Sequence, residues 1–336
     1  MKMKNCKPGL SCFLILSFLL YLVFAGLITA TAQEIELPPI KKTTLDNGLK
    51  LIVIEHHELP VVAFRLILKC GSVYDPPGKA GLADLTAGLL RKGTKTRSAT
   101  QIAQEIDFVG GSLGAGSGRD ATYATCQVLA KHFDLGLDLL SDIVLNPTFK
   151  EDEIDRLRNQ TLGGIKEKKR DPESVADDKF KEFLFGNHPY GQPAEGTEQS
   201  VAAIVRDDIV NFHKKHYVPN NSILAVVGDV QPEEAIRKVK AKFSRWKAGE
   251  ITAPSFTEPP AIKGHEILLV DNPELTQTYI RLGHLGIERK NPDYFAVKVM
   301  NYILGGGGFA SRLVDEVRSK RGLTYDIHCI FDYNKL

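Results

Sequence analysis

Apolar positions that alternate with polar ones predict four strands in the first two thirds of the chain. The β-branched, apolar runs at residues 49–55 and 61–70 predict two neighbouring strands. Residues 121–129 alternate in polarity, and residues 223–227 form an apolar run that leads into a glycine. Each run has the length and the residue types of a strand with at least one buried face.

Apolar positions that recur every three to four residues predict helices between these strands. Ser98 and Gln101 form a capping box for a helix that ends at Gly110. Residues 132–145 and 151–169 predict two more helices. The prolines that punctuate further helices are Pro172, Pro189 and Pro219. Strands and helices grouped in this way predict an α+β fold in which helices cover a sheet.

The segment GLADLTAGLLRKGT, residues 81–94, predicts a short helix that is ended by a glycine. Its apolar stripe for core packing consists of Leu82, Leu85 and Leu89. The opposite face carries Asp84, Ala87 and Gly88. Residues at this spacing are neighbours that can grip one metal ion. Here, however, that face offers one carboxylate and two nearly absent side chains, and glycine in a helix interior costs about 1 kcal/mol relative to alanine.

The pattern of the first half begins again after a linker. Residues 251–263 contain three prolines and little apolar periodicity, which predicts a linker between domains at residues 36–250 and 264–336. Beyond the linker, residues 265–270 predict a strand and residues 291–304 a helix. The sequence therefore predicts a tandem repeat of two homologous α/β-layer domains, with the second truncated at its C-terminal end.

The first 32 residues predict a secretory signal peptide, so the mature chain would lie outside the cytoplasm, in the periplasm or secreted. Three lysines precede an uncharged apolar run at residues 11–28, and an A-x-A cleavage site follows at residues 30–32. The run is also long enough to remain as a membrane anchor if it is not cleaved. Its removal would change the formal charge from +2 to −1, because residues 1–32 contain three lysines and no other charged residue. Nothing in this balance indicates nucleic-acid binding.

The remaining cysteines and two histidines carry weak signals. Cys70, Cys126 and Cys329 are widely spaced, so at most one disulfide can form, and the simpler interpretation is three small buried residues. His213 and His216 form HxxH, which suits one metal ion but is interpreted as structural. The glycine run at residues 305–308 ends a helix and lacks the lysine of a phosphate-binding loop.

Three longer stretches resemble the pitrilysin/insulinase-type zinc peptidases, which include the mitochondrial processing peptidases. They are GSVYDPPGKAGLADLTAGLLRKGT at residues 71–94, the 44 residues from NHPYGQ to VVGDV at residues 187–230, and LGGGGFASRLVDEVRSKRGLTYDI at residues 304–327. The likeness extends from about residue 44 to residue 331, and the three stretches together are highly specific. The resemblance implies a processing-peptidase-like fold of two domains, each with a sheet covered by helices.

The same resemblance implies a zinc site that this chain does not possess. Active members carry HxxEH on the helix quoted above, and those positions are occupied here by Asp84, Ala87 and Gly88. The third ligand, a glutamate on a later helix, falls at Gly164. A catalytic zinc needs three protein ligands and an open position to activate water. We therefore expect no bound metal and no cofactor in this chain.

Two substrate-binding features of the family are retained. Arg318 and Tyr325, seven residues apart, match the arginine and tyrosine with which active members bind the peptide backbone near the zinc. Both can donate hydrogen bonds to a carbonyl oxygen that gains negative charge. The alternative is a solvated arginine and a strand tyrosine.

The glycine-rich segment also resembles a family feature. It matches the strand edge that pairs with extended substrate, which suggests binding at Gly111, Ser112, Leu113 and Gly114. A flexible turn is the alternative.

Three functions remain open from the sequence. The preferred one is a non-catalytic subunit of an exported peptidase, paired with an HxxEH chain of the same family that holds the zinc. The second is a scaffold or peptide-binding protein with no part in hydrolysis. The third, an active peptidase on its own, would require a metal site that the sequence does not show.

Overall fold

The computed structural model describes residues 38–335 of the 336-residue chain. The predicted signal peptide lies outside the described residues. Within them, no helix combines the length and the apolar character needed to cross a bilayer.

A six-stranded mixed sheet forms the centre of the described part of the chain. Its order is β1-β2-β6-β3-β5-β4, with β2 and β6 parallel and every other neighbouring pair antiparallel. The strands are β1 Ile40–Thr44, β2 Lys50–Glu55, β3 Val61–Leu68, β4 Ser112–Ser117, β5 Thr122–Leu129 and β6 Ser222–Gly228. Since β4 pairs only with β5, one side of its backbone is the free edge of the sheet.

Nine α-helices surround this sheet or follow it within residues 38–335. They are α1 Leu82–Leu89, α2 Ala99–Phe108, α3 Phe133–Leu145, α4 Glu151–Lys168, α5 Pro172–Phe185, α6 Glu198–Ala203, α7 Arg206–His216, α8 Pro232–Phe243 and α9 Tyr294–Asn301. Two π-helical turns, Tyr302–Gly306 and Val314–Ser319, follow α9. All four strands predicted before the linker are present, and the capping box at Ser98 and Gln101 forms as predicted.

The core lies between one face of the sheet and the helices. In β3, Val62, Phe64, Leu66 and Leu68 alternate with more exposed residues and are almost completely buried. The helices α3 and α8 cover this face, and the buried leucine stripe of α1 belongs to the same cluster. This arrangement confirms the prediction of an α+β fold in which helices cover a sheet.

The prediction of a strand at residues 265–270 is wrong, because the structure has no regular element there. Ile267 is 92% exposed and Leu269 is 85% exposed, so the apolar residues of this run are not packed against a core. A strand is stabilised by hydrogen bonds to a neighbouring strand. Within the described residues, this run has no strand beside it, and β propensity alone does not form one.

Candidate functional site

Helix α1 lies beside the edge strand β4 and carries the face to which the family resemblance assigns zinc ligands. Leu82, Leu85 and Leu89 are at most 2% exposed, which confirms the predicted packing stripe. The helix begins after Gly81, and the Asp75 carboxylate accepts hydrogen bonds from the backbone N–H groups of Gly81 (2.8 Å) and Ala83 (2.9 Å). These bonds satisfy donors that a helix N-terminus otherwise leaves unpaired. The position of α1 therefore depends on a carboxylate that precedes it.

Burial raises the pKa of Asp75 to about 7, although the two backbone bonds act in the opposite direction. In the unfolded chain this carboxyl ionises near 3.8, so between about pH 4 and pH 7 the folded protein binds more protons than the unfolded chain. Asp75 therefore makes the free energy of unfolding fall as the pH rises through that window.

Replacing Asp75 with Asn should remove this contribution to the pH dependence of stability. We expect the wild type to lose stability relative to Asp75→Asn between pH 4.5 and pH 7, as measured by urea unfolding at several pH values. Asp46→Asn controls for the loss of one negative charge, because the Asp46 side chain is 87% exposed and pairs with Lys240 at the surface. A stability difference between wild type and Asp75→Asn that does not change with pH would contradict the assignment.

The positions that the family resemblance assigns to zinc ligation are brought together in space. Asp84 on α1 and Gly164 on α4 line one cavity of about 280 Å³. A Cβ atom built at Gly88 would lie 3.0 Å from Cδ2 of Leu157, so α4 also faces α1 at this position. The remaining position, Ala87, is completely buried. The cavity thus lies where two helices present residues that are 80 positions apart in the sequence.

The residues at this place do not fit a zinc ion. Asp84 supplies one carboxylate, whereas Ala87, Gly88 and Gly164 supply no side-chain donor atom. Across residues 38–335, no group of three or more His, Cys, Asp or Glu side chains is arranged to hold a metal ion. A catalytic zinc requires three protein ligands, so the chemistry of this donor set excludes a zinc site of that kind here.

A lysine lines the cavity that the ligand positions share. The Nζ atom of Lys168 lies 2.6 Å from Glu195 and 2.8 Å from Asp178. Burial works against its charge, but the hydrogen bonds to Asp178 and Glu195 hold the pKa of Lys168 above its usual value. Sequence reasoning missed this residue, although Lys168 follows Gly164 by four positions and therefore lies on the same helix face. The cavity therefore contains a positive charge, the ammonium group of Lys168, which two carboxylates hold in place.

Asp84 points toward the free edge of the sheet. Burial, and secondly the charge of Glu195, raise the pKa of Asp84, while a hydrogen bond from the backbone N–H of Ser117 opposes the shift. At the other end of β4, Nη1 of Arg91 donates to the carbonyl oxygen of Leu113 (2.7 Å). Arg91, which follows α1, therefore occupies one backbone acceptor on the edge of β4, and the Asp84 carboxylate lies near Ser117 at the other end of the strand.

Most of the glycine-rich segment forms the edge strand β4 and is not a flexible turn. Ser112 begins β4, with Leu113 and Gly114 within it and Gly111 directly before it. A Cβ atom built at Gly111 would lie 2.8 Å from the backbone carbonyl oxygen of Gln127, so close packing against the neighbouring strand requires glycine there. The suggested substrate contacts at these residues stay a prediction.

Arg318 and Tyr325 lie together on the surface of the second half. The Cζ atom of Arg318 is 4.6 Å from the ring centroid of Tyr325, whose side chain is 84% exposed. The same guanidinium lies 4.7 Å from the ring centroid of Phe309, a residue that sequence reasoning did not select. The predicted pair is therefore adjacent in space, with an additional aromatic neighbour.

The HxxH pair is structural. His213 Nε2 lies 2.8 Å from the carbonyl oxygen of Val144, and the ring of His216 packs against Tyr74 and Phe212. Burial lowers the pKa of both histidines to about 4. Their neutral rings are parts of the core.

The cysteines form no disulfide with one another. Cys70 and Cys126 are buried and Cys329 is half-buried, and all three are free thiols. The prediction of small buried residues is therefore confirmed for Cys70 and Cys126, whereas Cys329 is only partly buried.

Comparison with known families places these features in a class of metallopeptidases and their inactive relatives. Residues 51–198 match the family described as Insulinase (Peptidase family M16), and residues 203–335 match the Peptidase M16 inactive domain. The chain belongs to the insulinase family, peptidase family M16.

Related sequences are described as zinc proteases. An uncharacterized zinc protease of Rickettsia bellii is 34% identical over 283 residues, which cover 84% of this chain and 68% of the relative. An uncharacterized zinc protease of Mycobacterium leprae is 36% identical over 295 residues, covering 87% of this chain and 65% of the relative. The chain thus spans about two thirds of the length of these relatives.

Solved structures support the same fold. A peptidase M16 inactive domain from Pseudomonas fluorescens has a TM-score of 0.77 at 31% identity, covering 88% of this chain and 71% of that one. A protease from Helicobacter pylori has a TM-score of 0.74 at 23% identity, covering 87% of this chain and 71% of that one, and shows the fold alone.

Proposed function

We propose that this protein is the non-catalytic subunit of an exported zinc peptidase. The observation that carries the proposal is the ligand set at the shared cavity, where Asp84, Ala87, Gly88 and Gly164 stand in place of two histidines and two glutamates. The fold is retained while the groups that would bind zinc and take a proton from water are missing. A chain of this kind contributes to hydrolysis only through a partner.

Arg318 and Tyr325 are the residues through which this chain would contribute to the active site of that partner. A guanidinium and a phenol can both donate hydrogen bonds to a peptide carbonyl oxygen as negative charge develops on it. Their adjacency and the exposure of Tyr325 support this role. We infer an HxxEH chain of the same family as the partner in a heterodimer, with the zinc bound by that chain and a peptide as substrate.

Export of the mature chain is part of the proposal. It rests on the charged, apolar and A-x-A features of residues 1–32. Fractionation of cells that express the native gene, with detection in the envelope and in the medium, tests it. Recovery of the intact chain in the cytoplasm would contradict export.

A scaffold or peptide-binding role without hydrolysis is the second candidate. The edge of β4 favours the scaffold form of this candidate over peptide binding, because Arg91 already occupies the Leu113 carbonyl oxygen on that edge. A peptide strand added to β4 would have to share or displace this bond, since strand addition relies on backbone hydrogen bonds. A pull-down from the native envelope fraction separates the candidates: an HxxEH chain that co-purifies supports the first, and its absence supports the second.

The purified mature wild-type chain should neither hold stoichiometric zinc nor cleave peptides by itself. The physical reason is that, of the four family positions, only Asp84 supplies a donor atom, whereas a catalytic zinc needs three ligands. Metal analysis after dialysis, together with a fluorogenic peptide assay with and without chelator, provides the measurement. One tightly held zinc per chain with chelator-sensitive hydrolysis would overturn the proposal.

A further inference from the structure

Two aromatic rings, and no carboxylate, hold the guanidinium of Arg318. Its Cζ atom lies 4.7 Å from the ring centroid of Phe309 and 4.6 Å from that of Tyr325. Within residues 38–335, the guanidinium has neither an ion-pair partner nor a hydrogen-bond acceptor. The nearby acids Asp315 and Glu316 both pair with Lys320 instead.

This arrangement leaves the donor edge of the arginine available. A guanidinium carries five N–H donors in a planar fork, and contact with aromatic rings uses its face. The two ring contacts therefore restrict where the guanidinium lies, while its N–H groups meet no oxygen acceptor within the described residues. Such an arginine is prepared for a ligand with exposed oxygen acceptors.

The loop that precedes Arg318 holds the backbone of Phe309, which carries the second of the two rings. Gly308 has a φ of 61°, in the left-handed region that favours glycine, and Phe309 follows it within the turn Gly308–Ala310. Ser311 closes this turn, since its hydroxyl donates to the carbonyl oxygen of Gly308 (2.6 Å) while Ser311 itself is 1% exposed. The backbone of Phe309 is thus held in place although its ring is 74% exposed. Gly308, the last glycine of the run at residues 305–308, therefore allows the backbone to form this turn.

We propose that Phe309 is a positioning residue, which together with Tyr325 orients the guanidinium of Arg318 so that its N–H edge faces a peptide carbonyl oxygen. This inference rests on the proposed function, because the carbonyl belongs to a substrate held at the zinc of the partner chain. Phe309 acts through Arg318 and does not itself contact the reacting atoms. The aromatic ring is the property that matters, so tyrosine at this position should serve and leucine should not.

The first experiment examines the stacking in the full-length protein without any partner. Selective labelling with ¹³C,¹⁵N-arginine gives an NMR spectrum in which the Arg318 signal is assigned by its loss in Arg318→Lys. Ring currents displace the side-chain protons of an arginine that lies over aromatic faces. We expect Phe309→Leu to move the Arg318 Hε and Hδ signals toward the values of a free arginine, and Phe309→Tyr to leave them in place.

The second experiment measures kcat and KM in the complex reconstituted with the co-purifying HxxEH chain. Phe309→Leu should lower kcat about two- to fivefold with little change in KM, which is the range of one cation–π contact at an exposed site. Phe309→Tyr should restore the rate. Phe295 is 71% exposed in the same half of the chain, so Phe295→Leu is the matched control and should behave as wild type.

The outcomes separate this inference from the proposed function. If Phe309→Leu changes neither the Arg318 signals nor kcat, or if Phe309→Tyr is as impaired as Phe309→Leu, the positioning role is wrong. If the Arg318 signals respond to Phe309→Leu but Arg318→Lys itself leaves kcat unchanged, the shared site fails and the positioning of Arg318 for catalysis fails with it. Thermal unfolding of each variant checks that the fold is intact.

Discussion

Arg318→Lys and Tyr325→Phe should each reduce kcat/KM of the partner complex on an unstructured peptide, by an amount on the order of 10² to 10³. Each substitution removes donors aimed at a carbonyl oxygen that gains negative charge in the transition state. Arg318→Lys is the sharper test, because lysine keeps the charge but lacks the planar fork of N–H groups. Complex formation and the zinc content of the partner should stay unchanged.

Matched controls for this experiment come from the same segment. Arg321 and Tyr302 are exposed and carry the same functional groups, so Arg321→Lys and Tyr302→Phe should retain wild-type activity. Unchanged kcat/KM in both Arg318→Lys and Tyr325→Phe would favour the scaffold role. A zinc chain that is fully active without this protein would exclude the shared site.

The fourfold variant with Asp84→His, Ala87→Glu, Gly88→His and Gly164→Glu should bind about one zinc ion per chain. The two helices already face each other, so the new side chains need little rearrangement of the backbone. A side chain at Gly164 enters open space, and one at Gly88 meets only the flexible end of Leu157. Isothermal titration with zinc, followed by metal analysis after dialysis, measures the gain over wild type.

Gly163 supplies the matched control for the fourfold variant. A Cβ atom at Gly163 also meets nothing within 4 Å, but this residue is displaced by about 100° around the helix from Gly164. The version with Gly163→Glu in place of Gly164→Glu should therefore bind zinc weakly. Equal zinc binding by the two versions would show that the assignment of Gly164 is wrong.

The charge of Lys168 should oppose zinc in this engineered site. Lys168 lines the same cavity as Asp84 and Gly164, and two positive charges in a partly buried place repel each other. Adding Lys168→Met to the fourfold variant should raise the zinc affinity roughly tenfold or more. An unchanged affinity would mean that the ammonium group lies too far from the new ligands to act on the metal.

The sequence predicted local structure well where one pattern decides it. Alternation and β-branching gave β2, β3, β5 and β6, and the Ser98 capping box set the start of a helix. These features depend on neighbours within a few residues, which the sequence contains directly. Residues 265–270 show the limit, because an apolar β-prone run becomes a strand only beside another strand.

The sequence by itself also determined what is missing from the site. The identities of Ala87, Gly88 and Gly164 exclude zinc ligation through their side chains in any fold, since none of them carries a donor atom. Only the tertiary structure decided what stands there: a cavity shared by two helices, the ion pairs of Lys168, and the position of Asp84 near the edge strand. It likewise placed Phe309 over Arg318. Contacts between distant residues depend on how whole elements pack, and no local pattern encodes that packing.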